Sequence, residues 1–376
     1  MSHEERKIRV GILGASGYTG AELIRLLIKH PNVEIVLLTA DRHAGNPISL
    51  VFPHLFGLNL PNLIKIDEVK WANLEADFIF CALPHGTTQE VVAGVLQHRS
   101  NDVADKLIQE GREDLPASIP DGVRVIDLSA DFRIQDGDTY AEWYGHSHRA
   151  PQLQSQAVYG LTELARHDIA QAQLVACPGC YPTSALLPLA PLVGAGQIDL
   201  DDIIIDSKSG VTGAGRAAKE SGLYGEVSEG IHAYGLGGHR HSPEIEQELA
   251  QIAGRSIKVN FTPHLVPMNR GILSTIYVRL LGGATAADLR DTLVARYRDE
   301  PFVGVVPEGM SPATRHVRGS NHSLLGVFEG RVRGRAVVLS VLDNLVKGAS
   351  GQAVQNMNVM CQLPETLSLE QRPLFP

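Results

Sequence analysis

Two separated segments of the 376-residue chain hold side chains that suit covalent chemistry. The first is Cys177-Pro178-Gly179-Cys180-Tyr181-Pro182-Thr183. Its C-x-x-C spacing admits three readings: a dithiol redox pair, half of a zinc site, or one catalytic cysteine beside a chance neighbour. Zinc is the weakest, because no second C-x-x-C exists, and we assign no metal site. A thioredoxin-like role would need the motif near the start of a small βαβ fold, and here it sits mid-chain. The third reading has a physical basis. Pro182, one residue after the expected cap, suits the start of a helix, and the dipole there stabilises a thiolate. Glycine and two prolines describe a shaped turn, which favours Cys180 as a nucleophile over a buried core thiol.

The second segment is Gly238-His239-Arg240-His241-Ser242-Pro243-Glu244, with Pro243 near the first turn of another expected helix. A histidine there can take the proton of a cysteine, and Glu244, three residues after His241, can orient or stabilise the imidazolium. A solvated helix start is the plain alternative.

Other segments suit anions. Gly14-Ala15-Ser16-Gly17-Tyr18-Thr19-Gly20 lies between an expected strand, 8–13, and an expected helix, 21–29, that stops before Pro31. A glycine turn in that context brings backbone N–H groups and a helix N-terminus to a pyrophosphate. At the end of the next strand, Asp41 suits the ribose hydroxyls of NAD and Arg42 the 2′-phosphate of NADP; Arg42 tips the expectation toward NADP(H). Ser207-Lys208-Ser209-Gly210-Val211-Thr212-Gly213-Ala214-Gly215-Arg216 carries two cations in a loop suited to an oxyanion, and its order excludes a P-loop. Ser129-Ala130-Asp131-Phe132-Arg133 follows a strand end, so Arg133 faces the expected crevice, or else Asp131 and Arg133 form an internal pair. Leu83-Pro84-His85-Gly86 also follows a strand end, where cofactor contact by backbone is favoured over catalysis by His85.

These residues need a scaffold. The βαβ unit at 8–39, with further short apolar runs at 77–82 and 125–128, predicts a Rossmann-type doubly wound parallel sheet. After Cys180 come longer β-rich runs (202–207, 272–281, 323–328, 336–342) and helical stretches near 244–252 and 286–298. These predict an α+β catalytic or substrate domain with a mixed sheet. The expected division is 1–179 for dinucleotide binding, completed by a C-terminal helical segment at 345–376, and 180–344 for catalysis and oligomerisation. Residues 99–119 read as a surface helix or excursion.

Composition bounds the classes. Apolar residues make 44% and charged residues 20%, a globular balance, and the net charge of −9 argues against nucleic acid. No run approaches the roughly 18 apolar residues that cross a bilayer, and the opening residues are too charged for a secretory signal, so a cytoplasmic protein is expected. Four cysteines, Cys81, Cys177, Cys180 and Cys361, make no disulfide framework in a chain this long.

Taken in order, the segments 14–20, 83–86, 127–133, 178–183, 208–216, 239–244 and 263–271 closely resemble the N-acetyl-γ-glutamyl-phosphate reductase family, relatives of the aspartate-semialdehyde dehydrogenases. The likeness covers nearly the whole chain. It implies an arginine-biosynthesis enzyme that uses NADPH to reduce an acyl phosphate to an aldehyde through a thioester on Cys180, with His239 and His241 supplying the base. It further implies cofactor contacts from Gly14, Ser16, Gly17, Tyr18, Thr19, Gly20, Arg42, Leu83, Pro84, His85, Ser209, Gly210, Gly213, Ala214, Gly215 and Asn344. Ser129, Arg133, Lys208, Arg216, Arg240 and Arg270 are the candidates for phosphate and substrate carboxylate. A homo-oligomer, dimer or tetramer, is implied by the same likeness. One departure is Cys177, where the family has Asn, which raises the expectation of a Cys177–Cys180 disulfide under oxidant. Rival readings are another acyl phosphate, aspartyl or carrier-linked aminoadipyl, and a Cys177/Cys180 dithiol protein.

Overall fold

A computed structural model describes residues 6–96 and 122–375; the expected excursion at 99–119 lies outside the described residues. The chain divides into two compact units, Met1–Pro178 with Ser350–Leu369, and Gly179–Ala349 with Glu370–Pro376.

The first unit is built on seven strands: β1 (Ile8–Leu13), β2 (Val33–Thr39), β3 (Leu63–Ile64), β4 (Phe78–Cys81), β5 (Arg124–Asp127), β6 (Val158–Tyr159) and β7 (Leu174–Ala176). Their order is β3-β2-β1-β4-β5-β7-β6, and every pairing is parallel. β4 is buried at all four positions, and so are the last four residues of β1, as expected of strands covered on both faces. The order reverses direction between β1 and β4, so the crevice of this unit opens at their C-terminal ends, where 14–20 and 83–87 lie. Helix Tyr18–Leu27 starts earlier than the spacing predicts, because the glycine turn itself makes its first residues. It buries Leu23, Ile24, Leu26 and Leu27.

Helix Gly351–Met360 belongs to this unit and is buried along its whole length. Two of its polar side chains bond locally: Asn356 accepts from the Thr162 hydroxyl at 2.6 Å and donates to the Gly160 carbonyl at 2.9 Å, and Gln355 donates to Glu163 at 3.1 Å. A buried amide left without partners would cost about 1–3 kcal/mol, so this network specifies where the helix docks.

The second unit holds β8 (Ile198–Gly210), β9 (His232–Ala233), β10 (Asn260–Val266), β11 (Ile272–Leu280), β12 (Val303–Val305), β13 (Ser323–Glu329) and β14 (Arg335–Leu342). The sheet is mixed, in the order β12-β13-β14-β11-β8-β10-β9, with β8–β10 and β12–β13 parallel and the other pairs antiparallel. β8 runs beyond its expected end at 207, because Ser209 and Gly210 still pair with β10 and Ser209 with β11.

One face of this sheet carries helix Cys180–Gly194. Three serines lie side by side across adjacent strands, Ser207, Ser274 and Ser340, by strand register. The Ser274 hydroxyl meets Ser207 at 2.7 Å and Ser184 of the helix at 2.6 Å. The helix contains Pro188 and Pro191. Pro191 has no N–H for the Leu187 carbonyl, and the Tyr297 hydroxyl donates to that carbonyl instead. Among the described residues no helix is long and apolar enough to cross a membrane.

Candidate active site

Cys180 is the first residue of its helix, capped by Gly179 in extended conformation, so cap and helix start both come two residues earlier than Pro182 suggests. Pro182 is the third helical residue, where its missing N–H costs no helical bond. No acidic side chain lies in the first turn to oppose a thiolate. Cys180 is half-buried, whereas Cys81, Cys177 and Cys361 are buried. Burial pushes the Cys81 thiol well above its ordinary range and Cys361 up to about 12, which leaves both inert.

Helix His241–Ala253 brings the base candidates to this turn. A β-carbon on Gly179 would lie 2.5 Å from Nε2 of His241, so the imidazole rests on the bare α-carbon next to Cys180. Oε1 of Glu244 accepts the Gly179 N–H at 2.7 Å. Glu244 is 1% exposed, and by this bond it ties the start of one helix to the start of the other. His239 sits edge-on to His241 at 4.8 Å, and its Nδ1 accepts the His241 backbone N–H at 3.1 Å. Burial, with a lesser push from Arg240, lowers the His239 pKa to about 4. His239 is therefore neutral at neutral pH.

Two tyrosines complete this surround and were not singled out in the sequence. The rings of Tyr181 and Tyr234 both pack on His239, and their hydroxyls meet at 3.1 Å. Burial raises both phenols, Tyr234 to about 12, so both stay protonated. Tyr181 follows Cys180 directly, and Tyr234 stands in an Ala-Tyr-Gly turn five residues before His239; only that proximity marks them in the sequence.

The loop after β8 is tied to the loop after β10. Val211 N–H donates to the Met268 carbonyl at 2.9 Å, and a β-carbon on Gly210 would lie 2.8 Å from the Asn269 backbone. Asn344 bridges both loops, accepting from Gly271 N–H at 2.8 Å and donating to the Thr212 hydroxyl at 3.0 Å. Gly213, Ala214, Gly215 and Arg216 are exposed.

The candidate cations have different settings. Lys208 points to the sheet face opposite Ser207 and Ser209 and pairs with Asp206 at 2.9 Å. Arg270 lies 3.6 Å from the fully buried Asp343. Arg240 is exposed between the two histidines.

In the first unit, Gly14 has φ of +79°, and a β-carbon there would collide with the Ala82 carbonyl oxygen. Gly20 has the same need for closeness, since its β-carbon would lie 2.6 Å from the Ala15 α-carbon. Gly17 differs. Its nearest neighbour would be Gly14 O at 3.5 Å, so nothing in the protein itself forbids a side chain. Helix Tyr18–Leu27 has no side-chain cap and no acid in its first turn. A bare, positively polarised helix start beside an open Gly17 fits a dinucleotide pyrophosphate. Past β2, Oδ1 of Asp41 accepts from Ile66 N–H at 3.3 Å, and Arg42 is exposed.

The loops after β4 and β5 hold each other. Asp131 accepts from Gly86 N–H at 2.7 Å and Thr88 N–H at 3.0 Å, and His85 Nδ1 accepts from Ala130 N–H at 2.9 Å. Ser129 bonds Asp127, whose burial lifts its pKa to about 7. Arg133 is buried, and it donates to the Cys177 and Leu128 carbonyls, 2.7 and 3.0 Å away. The Cys177 thiol packs 3.6 Å from Asn356 Nδ2, and none of the four cysteines is in a disulfide.

Comparison with known proteins places this arrangement. Residues 9–105 match the family model "Semialdehyde dehydrogenase, NAD binding domain", and residues 180–344 match "Semialdehyde dehydrogenase, dimerisation domain". The chain is 59% identical to an N-acetyl-gamma-glutamyl-phosphate reductase of Rhodospirillum rubrum, over 98% of this chain and 99% of that one. The chain belongs to the N-acetyl-γ-glutamyl-phosphate reductase family. A probable chloroplastic reductase of Oryza sativa is 52% identical over 98% of this chain and 83% of its own length. Among solved structures, aspartate semialdehyde dehydrogenase II of Vibrio cholerae has the same fold, with a TM-score of 0.68 at 17% identity over 95% of this chain and 99% of its own.

Proposed function

We propose that the protein reduces N-acetyl-γ-glutamyl phosphate with NADPH to N-acetylglutamate γ-semialdehyde and phosphate, the reaction named by its relatives, in arginine biosynthesis. The observation that carries the reading is Cys180 at a helix start with the His241 imidazole lying against its cap, Gly179. His241 takes the thiol proton, and the thiolate attacks the acyl carbon. The C–O bond to phosphate breaks and a thioester remains on Cys180. NADPH, when bound, supplies the hydride that this thioester needs. His241 returns a proton to the sulfur as the aldehyde leaves, restoring the thiol. His239, neutral at working pH, orients His241 through its backbone rather than acting as a second base. The glycine turn 14–20 holds the pyrophosphate, and Arg42 faces the 2′-phosphate. Arg240, beside both histidines, is the cation we assign to the substrate's anionic end.

The outward face of the mixed sheet carries Ile204, Leu273, Tyr277, Val337 and Leu339, half-buried or exposed, with Tyr277 39% exposed. A second copy of the chain covering this face makes a homo-oligomer, dimer or tetramer, in keeping with the dimerisation model that the unit matches. A cytoplasmic setting suits a catalytic thiol, which a reducing compartment preserves.

The test runs the reaction backward, because acyl phosphates are labile. N-acetylglutamate γ-semialdehyde and NADP are followed by NADPH absorbance, with and without phosphate, for wild type and Cys180→Ser. Phosphate-dependent reduction that vanishes in the variant is expected. Turnover with aspartate semialdehyde alone would reassign the substrate, and a requirement for Cys177 as well as Cys180 would overturn the thioester route in favour of dithiol chemistry.

A further inference from the structure

The expected C-terminal helical segment, from 345 onward, does not begin as an α-helix. Residues Val346–Ser350 form one π-helical turn, and the Gly348 N–H reaches back five residues to the Asp343 carbonyl at 2.9 Å. Such turns are rare and are found disproportionately where a helix must place a group for function. Here the widened turn advances Gly348 onto the nucleophile. A β-carbon on Gly348 would lie 2.8 Å from the Cys180 β-carbon and 3.2 Å from Leu342 Cδ1. Nothing but hydrogen fits between this turn and Cys180.

The turn is held from below. The buried Asp343 carboxylate accepts from Leu345 N–H at 2.9 Å, Val346 N–H at 3.3 Å and Gly319 N–H at 2.7 Å. Lys347, next to Gly348, is fully buried, with its ammonium 6.0 Å from the centre of the Phe302 ring. A buried ammonium is costly unless compensated, so the interactions Lys347 makes inside the unit anchor the chain directly beside Gly348. The thioester mechanism gives Lys347 no step.

We propose that the π-turn is the positioning element of the nucleophile: Gly348 is the side-chain-free surface that sets the Cys180 thiol, and the buried Lys347 holds that surface in place. Neither touches substrate, so both are positioning residues, and the inference rests on Cys180 being the reactive thiol. Asp343 and Asn344 fix the base of the turn, while Gly348 fixes the distance at its crest. A one-ångström displacement of an attacking atom is worth about a hundredfold in rate.

The test uses the full-length enzyme with Gly348→Ala and Lys347→Met, read in two ways. One is kcat and KM in the reverse reaction. The other is the pH profile of Cys180 alkylation by iodoacetamide, followed by mass spectrometry, which needs no turnover. Gly348→Ala is expected to lower kcat about a hundredfold, to leave the KM for NADP within about threefold, and to shift the alkylation profile. Lys347→Met is expected to do the same to a smaller degree. Should Gly348→Ala aggregate, Lys347→Met carries the test by the same two readouts. Variants that fold, turn over within threefold of wild type and alkylate with an unchanged profile overturn the proposal. An altered profile in a protein whose wild type lacks reductase activity would instead retain the positioning role and remove the proposed reaction.

Discussion

Glu244 accepts the backbone N–H of Gly179 at 2.7 Å, and the helix that carries Glu244 also lays His241 against the Gly179 α-carbon. One carboxylate thus sets the spacing between Cys180 and His241 by gripping the chain beside each. The bond is buried, and hydrogen bonds to carboxylates are worth roughly 1.5–3 kcal/mol when intact. Glu244→Ala should lose about that much stability in urea denaturation and lower kcat by more than tenfold. Glu244→Gln keeps an acceptor oxygen and should recover most of the stability. Equal kcat in the alanine variant and wild type would show that the spacing does not depend on this bond.

The glycine turn gives a paired prediction, because two of its glycines are needed for different reasons. Gly14 has positive φ and no room for a methyl against Ala82, so Gly14→Ala strains the fold itself. Gly17 has ordinary φ and no close neighbour within the protein, so a methyl there meets only what binds at the helix start. In thermal melts Gly14→Ala should be clearly destabilised, while Gly17→Ala should melt within about 2 °C of wild type, as expected of a change well under 1 kcal/mol. In fluorescence titration Gly17→Ala should nonetheless bind NADPH at least tenfold more weakly. Unchanged affinity would move the pyrophosphate away from this turn.

What the sequence makes legible follows from how local each signal is. The strand-turn-helix context of Gly14–Gly20 and the proline-framed turn at Cys180 are contiguous, so their backbone roles can be read directly. Alternation is less informative. Lys208 and Ser209 are neighbours in one apparent anion loop, yet β8 extends through Gly210 and sends them to opposite faces, an outcome decided by pairing with β10 and β11. Arg133 and Asp131 look like a pair at two-residue spacing. In the fold Asp131 serves the N–H groups of Gly86 and Thr88, while Arg133 donates to the Leu128 and Cys177 carbonyls. The π-turn at Val346–Ser350 was not legible at all, because the close contact of its Gly348 is with Cys180, 168 positions earlier by number. Its one trace was Gly348, a helix-weakening residue inside an otherwise helical pattern.

His239 supplies a pH prediction whose sign is fixed by its lowered pKa. Its folded value of about 4 lies below the unfolded value of 6.5, so below 6.5 the unfolded chain binds the proton that the folded chain refuses. The stabilising difference is complete above pH 6.5 and is lost as pH falls through that value toward 4. Urea midpoints should therefore decline with acidity in this window. His30, His148 and His322 are lowered by burial as well and decline alongside it. The share due to His239 is the difference between wild type and His239→Gln, whose decline should be shallower. Parallel curves for the two proteins would mean that His239 titrates normally.

Arg42 is the residue on which the proposed preference for NADPH over NADH can be tested. It stands exposed just past β2, the place where the ribose of a bound dinucleotide is read in parallel sheets of this order. Its neighbour Asp41 is the group that would favour NAD, but one Asp41 oxygen is engaged by Ile66 N–H, which turns that carboxylate toward its own chain. A guanidinium on a 2′-phosphate forms charge-assisted hydrogen bonds that a hydroxyl cannot replace, typically about 1.5–3 kcal/mol. Arg42→Ala should then lower kcat/KM for NADPH by roughly 10–100-fold while leaving the value for NADH within about twofold. Raised salt should weaken NADPH use by the wild type more than by the variant, since only the wild type retains the screened pair. Equal losses with both cofactors would place the 2′-phosphate elsewhere and give Arg42 a role in the loop rather than in cofactor choice.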